Sequence, residues 1–132
     1  MTITNKHAQS AQRAFDELAS IIVRRTDTCG LGAGIINYGE LGQLIGFQAP
    51  AGMPMIEPVK YIYSYCRMNE LPLMNANVVR KDTNQPGWDD MFKSEAELLD
   101  EQDKVLHFEW GYVHRPSVED LMHFRKAHLS RL

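Results

Sequence analysis

Residues 37–47 read Asn-Tyr-Gly-Glu-Leu-Gly-Gln-Leu-Ile-Gly-Phe, and residues 71–87 read Leu-Pro-Leu-Met-Asn-Ala-Asn-Val-Val-Arg-Lys-Asp-Thr-Asn-Gln-Pro-Gly. Asn37 is a good helix N-cap, and Glu40, three residues on, completes a capping-box-like pair. Leu41, Leu44 and Ile45 form the buried side of that helix, and Gly46 is its natural stop. The stretch Gln48-Ala49-Pro50-Ala51-Gly52 reads as a loop that cannot be helical. The next helix is expected to begin near Glu57, with Pro58 tolerated in its first turn. Its core face is expected to be Ile56, Val59, Ile62, Tyr63 and Cys66. Lys60, Ser64 and Arg67 fall on another face at i, i+4, i+7, with Tyr61, Tyr65 and Met68 beside them. Pro72 ends the helical region. Residues 73–80 read as a strand, and residues 82–87 as a turn by composition. A capped helix, a loop, a second helix, a strand and a turn follow the order of a helix-turn-helix with a wing. Residues 35–88 are therefore expected to form a winged-helix-like core.

Working outward, residues 1–34 read as one helix and a Gly-rich linker. Ala8, Ala11, Phe15, Leu18 and Ile22 repeat at three- and four-residue spacing, one apolar stripe of a helix from about Asn5 to Arg25. Arg24 and Arg25 suit the last turn, where the helix dipole favours cations. Thr28-Cys29-Gly30-Leu31-Gly32-Ala33-Gly34 is glycine-rich, but no Gly-Lys-Ser/Thr opens a helix after it and no strand precedes it. It reads as a flexible linker and not as a phosphate cradle. On the other side, in residues 89–132, Ser94 and Glu97 signal a second capped helix, running to about Lys104. Residues 105–113 could extend that helix or form a strand. Alternation favours the strand, with Leu106, Phe108, Trp110 and Tyr112 on one packed face. A last helix opens at Ser117 with Asp120 at its third position, and Leu121, Phe124, His128 and Leu132 follow one stripe. The fold class expected for the whole chain is α+β, a single domain with a winged-helix-like core and flanking N- and C-terminal helices.

Composition narrows the function classes. The chain has 132 residues, long enough for one domain with a real core, and its 44% hydrophobic and 23% charged content is ordinary for a globular protein. No apolar run approaches the roughly 20 residues that span a bilayer. Met1 to Phe15 lacks the apolar centre of a signal peptide, so a cytoplasmic location is expected. Cys29 and Cys66 form no metal-type pair and read as reduced thiols. The net charge of −3 is unevenly spread. Residues 82–110 carry nine acidic side chains against Lys93 and Lys104, a balance of −7, while residues 1–36, 37–81 and 111–132 carry +1, +1 and +2. An acidic face of this kind can be held away from a phosphate backbone or offered to a basic partner.

The motifs carry two resemblances. Tyr38-Gly39-Glu40-Leu41-Gly42 resembles the Tyr-Gly-Glu/Asp-Leu/Ile-Ala motif in the winged-helix region of alkylguanine-DNA alkyltransferases and alkyltransferase-like proteins. Val78-Val79 resembles the end of that family's Pro-Cys-His-Arg-Val-Val segment, and the likeness covers roughly residues 36–82. On this register Asn75 stands where the reactive cysteine would be and Ala76 where the histidine would be. An amide is no nucleophile towards an alkyl group, so the resemblance implies the DNA-facing scaffold without alkyl transfer. That scaffold would use the second helix for recognition and Arg80 to Gly87 as wing. The chain also resembles small uncharacterised proteins of bacteria and phages. The shared features are Tyr38 to Leu41, Tyr65 to Arg67, Leu71-Pro72, Val78 to Thr83 with Pro86-Gly87, and Phe108 to Trp110. That likeness implies a shared fold and names no function.

The expected function is non-enzymatic nucleic-acid binding or regulation. Lys60, Ser64, Arg67, Arg80 and Lys81 would reach phosphates, and Tyr61 or Tyr65 would give apolar or stacking contacts. The plainer reading of the same residues is a solvated helix face and a blunted edge strand. The competing class is a protein-binding inhibitor or adaptor of phage or mobile-element origin. It would target a basic, nucleic-acid-handling complex through Asp89, Asp90, Glu97, Asp100, Glu101 and Asp103. His107, His114, His123 and His128 gather late in the chain without metal-ligand spacing, so no metal site and no cofactor are expected. No nucleophile–base arrangement can be assembled from sequence alone. DNA versus RNA, sequence specificity and oligomeric state stay open.

Overall fold

The structure, a computed structural model, describes residues 3–27, 30, 32–48, 52–87 and 92–132, with the backbone alone at 52 and 53. Among them are five α-helices and one two-stranded parallel sheet, a mostly helical α+β arrangement. In chain order these are α1 (Asn5–Arg24), β1 (Ile36–Asn37), α2 (Tyr38–Leu44), α3 (Gly52–Met68), β2 (Val78–Val79), α4 (Glu95–His107) and α5 (Val118–Leu129).

α1 forms as its apolar spacing predicts. Thr4 caps it, its side chain accepting from the His7 N–H at 3.2 Å. Arg25 ends it in the left-handed conformation at φ 56°. Ala8, Ala11, Ala14 and Ala19 are buried beside Phe15 and Leu18. These small side chains let α3 and α5 pack closely along α1. The three helices enclose the main core, where the Phe15 ring meets Tyr65 and Trp110 edge-on at 5.8 and 6.1 Å. Burying a side chain of this size is worth about 2–3 kcal/mol.

β1 pairs with β2 in parallel, Ile36 against Val78 and Asn37 against Val79. A parallel pair needs a long crossover, and α2 with α3 supplies it. Asn37 caps α2 as expected, its Oδ1 accepting from the Glu40 N–H at 2.7 Å. Tyr38 is buried, and its hydroxyl accepts from the Gly87 N–H at 2.9 Å. A Cβ on Gly87 would come within 2.7 Å of the Tyr38 ring, so only glycine allows this approach. Burial pushes the Tyr38 phenol up to about 12. This contact ties residues 80–87 to the start of α2.

Several expectations are corrected. α3 begins at Gly52, not near Glu57, so Pro58 lies inside the helix. Buried Met55 and Val59 hold the early turns in place on either side of it. Residues 73–80 are not one strand: Met74–Asn77 is a 3-10 turn, and only Val78–Val79 pairs. The Leu73 N–H is taken by the Glu101 carboxylate at 2.8 Å rather than by a neighbouring strand. Residues 105–113 form no strand. α4 continues to His107, and Trp110–Tyr112 is a second 3-10 turn. The indole N–H of buried Trp110 donates to the Val105 carbonyl at 2.7 Å, which satisfies one of the orphan carbonyls at the helix end. Tyr112, placed on the packed face by alternation, is 90% exposed. The Gly-rich linker lies partly outside the described residues, at 28, 29 and 31.

Candidate nucleic-acid interface

α3 is the central helix, packed against α1, α2 and α5. Helical geometry advances about 100° per residue, so three neighbours leave only a narrow arc facing outward. The residues on that arc are Ile56, Lys60, Tyr63 and Arg67, of which Arg67 is exposed and the others half-buried. The expected solvent face of Lys60, Ser64 and Arg67 is therefore rotated. Ser64 is fully buried under α5, and Tyr63, assigned to the core by its spacing, points outward in its place.

The two tyrosines chosen from sequence are structural. Tyr61 is 2% exposed, and its hydroxyl accepts from the Thr4 N–H at 2.9 Å. The Arg125 guanidinium lies over the Tyr61 ring at 5.9 Å. Tyr65 is also buried, donating to the His114 carbonyl at 3.3 Å and packed edge-on against Phe124 at 5.5 Å. Neither ring can stack on a base while α1 and α5 are in place. Lys60 keeps its outward position beside Glu57, Nζ to Oε1 at 3.7 Å.

Between α3 and α5 lies a polar cluster that sequence spacing did not reveal. The Arg125 guanidinium donates to the Ser64 hydroxyl at 3.0 Å, and the same hydroxyl lies 2.9 Å from His128 Nδ1. Arginine can only donate. The assignment that gives the Ser64 hydrogen an acceptor within the cluster makes His128 neutral, with Nδ1 accepting. Burial, then Arg125, Arg67 and Arg131, hold the His128 imidazole below its usual range. Arg67, in the last turn of α3, and Arg131, just beyond α5, are both exposed. Ser64 and His128 have the spacing of a nucleophile and its base, but Ser64 is 0% exposed and presents no oxygen to a substrate. Cys66 is equally shut in, and burial pushes its thiol up to about 12, far from a reactive thiolate. Asn75 and Ala76, at the cysteine and histidine positions of the alkyltransferase register, are also buried.

Arg80 and Lys81 are exposed on a separate element. Residues 80–87 close on themselves, the Arg80 N–H donating to the Gln85 carbonyl at 2.7 Å and the Asn84 N–H to the Arg80 carbonyl at 2.8 Å. Arg80 also faces Asp82 at 3.3 Å. The loop is anchored to α2 through Tyr38.

The acidic segment divides in two. Glu101 is a strut, its carboxylate holding the Leu73 N–H, and Gln102 beside it donates to the Ala76 carbonyl at 2.8 Å. Glu97, Asp100 and Asp103 face solvent, and Asp100 pairs with Lys104 at 3.3 Å. Asp89 and Asp90 lie outside the described residues. An open groove of about 670 Å³ runs along α5, lined by Ile3, Glu119, Met122, His123, Lys126 and Leu129. Among the described residues no group of three or more His, Cys, Asp or Glu side chains could hold a metal ion, and no helix is long and apolar enough to cross a membrane. Compared with protein families, curated proteins and solved structures, the chain matches none.

Proposed function

We propose that this protein is a non-enzymatic nucleic-acid-binding or regulatory protein that uses a winged-helix-like surface. Lys60 and Arg67 on the outward arc of α3 contact phosphates, Arg131 extends that contact, and Arg80 and Lys81 act as a wing-like second grip. The observation that carries this reading is the outward arc of α3, on which half-buried Lys60 and exposed Arg67 share one side of the helix. The order α2, α3, β2 and the closed 80–87 loop supports the winged-helix-like description.

The test is a binding titration of the full chain against short duplex DNA and single-stranded RNA at low and high salt. Binding in the micromolar range that collapses as salt rises is expected, because released counterions drive phosphate contact. Lys60→Glu with Arg67→Glu should abolish retention while the melting temperature holds. Absence of binding at low salt would overturn the reading.

A second reading rests on α4. Leu99 is 56% exposed on the solvent side of that helix, close in sequence to Asp100 and Asp103. An apolar centre with an acidic rim suits a basic protein partner. Reversing Asp100 and Asp103 to lysine would abolish such an interaction and leave nucleic-acid retention intact.

A further inference from the structure

The sequence offers three tyrosines on α3, and the structure buries two and leaves half-buried the one that spacing sent to the core. Tyr63 sits on the outward arc between Lys60, three residues before it, and Arg67, four residues after it. At 1.5 Å per residue the two cations stand about 10 Å apart along the helix with the ring between them. The ring is held in place by its edge-on contact with His128, centroids 5.2 Å apart at 71°. A half-buried, braced aromatic loses little rotamer freedom on binding. Arg131, exposed and three residues beyond His128 just past the end of α5, is a further cation near that brace in sequence.

We propose that this arc binds single-stranded nucleic acid, an unpaired base stacking on Tyr63 while Lys60, Arg67 and Arg131 hold the flanking phosphates. The proposal rests on the nucleic-acid reading above and specifies its substrate. Two physical arguments favour an unpaired strand. First, α3 is flanked by α1, α2 and α5, so it does not protrude as a helix must to enter a duplex groove. Second, few cations line the arc, and phosphate contact alone scales with the number of phosphates neutralised. A stacking platform supplies what those cations lack, and only an unpaired base can use it. The overall charge of −3 works against tight binding to duplex by electrostatics alone.

The experiment is fluorescence anisotropy with the full chain at low salt. The probes are a labelled oligothymidylate, an oligouridylate and a mixed-sequence duplex of the same length. Wild type is expected to bind one or both single strands more tightly than the duplex. Tyr63→Ala should weaken single-strand binding by about tenfold or more and leave duplex binding unchanged, while Tyr63→Phe should bind as wild type, since stacking needs the ring and not the hydroxyl. Tyr63→Leu keeps apolar bulk against His128 without the aromatic face, and it carries the test if the alanine variant melts early. Equal single-strand affinity in wild type and Tyr63→Leu, or a wild-type preference for duplex, would overturn this proposal and leave the nucleic-acid reading standing. Failure of wild type to bind any of the three probes would overturn both.

Discussion

His128 is nearly buried on the side of α5 that meets α3, and the charged groups that act on it are cations: Arg125 from its own helix, Arg131 just beyond that helix, and Arg67 from α3. Ser64 and Tyr63 are its neutral neighbours from α3. Its folded pKa is lowered, so between the folded value and the ordinary value near 6.5 the unfolded chain binds more protons. By linkage, stability is full above about pH 6.5 and falls as pH drops through that window. Thermal melts from pH 8 to pH 5 should show this loss, and His128→Gln should flatten it. An equal slope in both proteins would remove His128 from the account. At this scale the sequence was legible where the chemistry is local. Asn37, Ser94 and Ser117 each cap the helix expected of them. It was not legible for Tyr61, Tyr63 and Tyr65, which sit two residues apart on one helix. Which of them faces water depends on where α1 and α5 pack, and no spacing within residues 59–69 encodes that.

Elements were legible in kind more often than in extent. α5 opens with a full capping box, Ser117 Oγ accepting from the Asp120 N–H at 3.0 Å and the Asp120 carboxylate accepting from the Ser117 N–H at 3.0 Å. That reciprocal pair, with His114 and His123 nearby, holds the Asp120 carboxyl below its usual range. Ser117→Ala should cost about 1 kcal/mol, read as an earlier midpoint in urea unfolding, and Ser117→Asp should restore most of it. No change in midpoint would mean that packing of Leu121 and Arg125 alone fixes the start of α5. The segment after α4 went the other way. Alternating Leu106, Phe108, Trp110 and Tyr112 favoured a strand, yet the Trp110 indole closes on the Val105 carbonyl and turns the chain. Local alternation cannot register a tryptophan used as a helix-end partner. α3 likewise starts at Gly52 because burial of Met55 outweighs the helix-breaking tendency of Pro58.

For the molecule as a whole, the α+β class was readable from capping signals and apolar periodicity, while its mostly helical balance was not, because residues 73–77 and 105–113 were read as strand. The parallel pairing of Ile36–Asn37 with Val78–Val79 was not, because two-residue strands more than forty positions apart leave no periodic trace. Charge separation was readable directly: acidic residues concentrate in 82–110, and the structure places Glu97, Asp100 and Asp103 on the solvent side of α4. The account therefore turns on whether the narrow cationic arc of α3 holds phosphates. The deciding measurement is the slope of log Kd against log salt for a single-stranded oligonucleotide, taken for wild type and for Lys60→Gln with Arg67→Gln. Each phosphate contact on a single strand contributes about 0.7 to that slope, so the double variant should lose about 1.4 of it along with affinity. An unchanged slope and affinity would place the binding surface elsewhere and contradict the account.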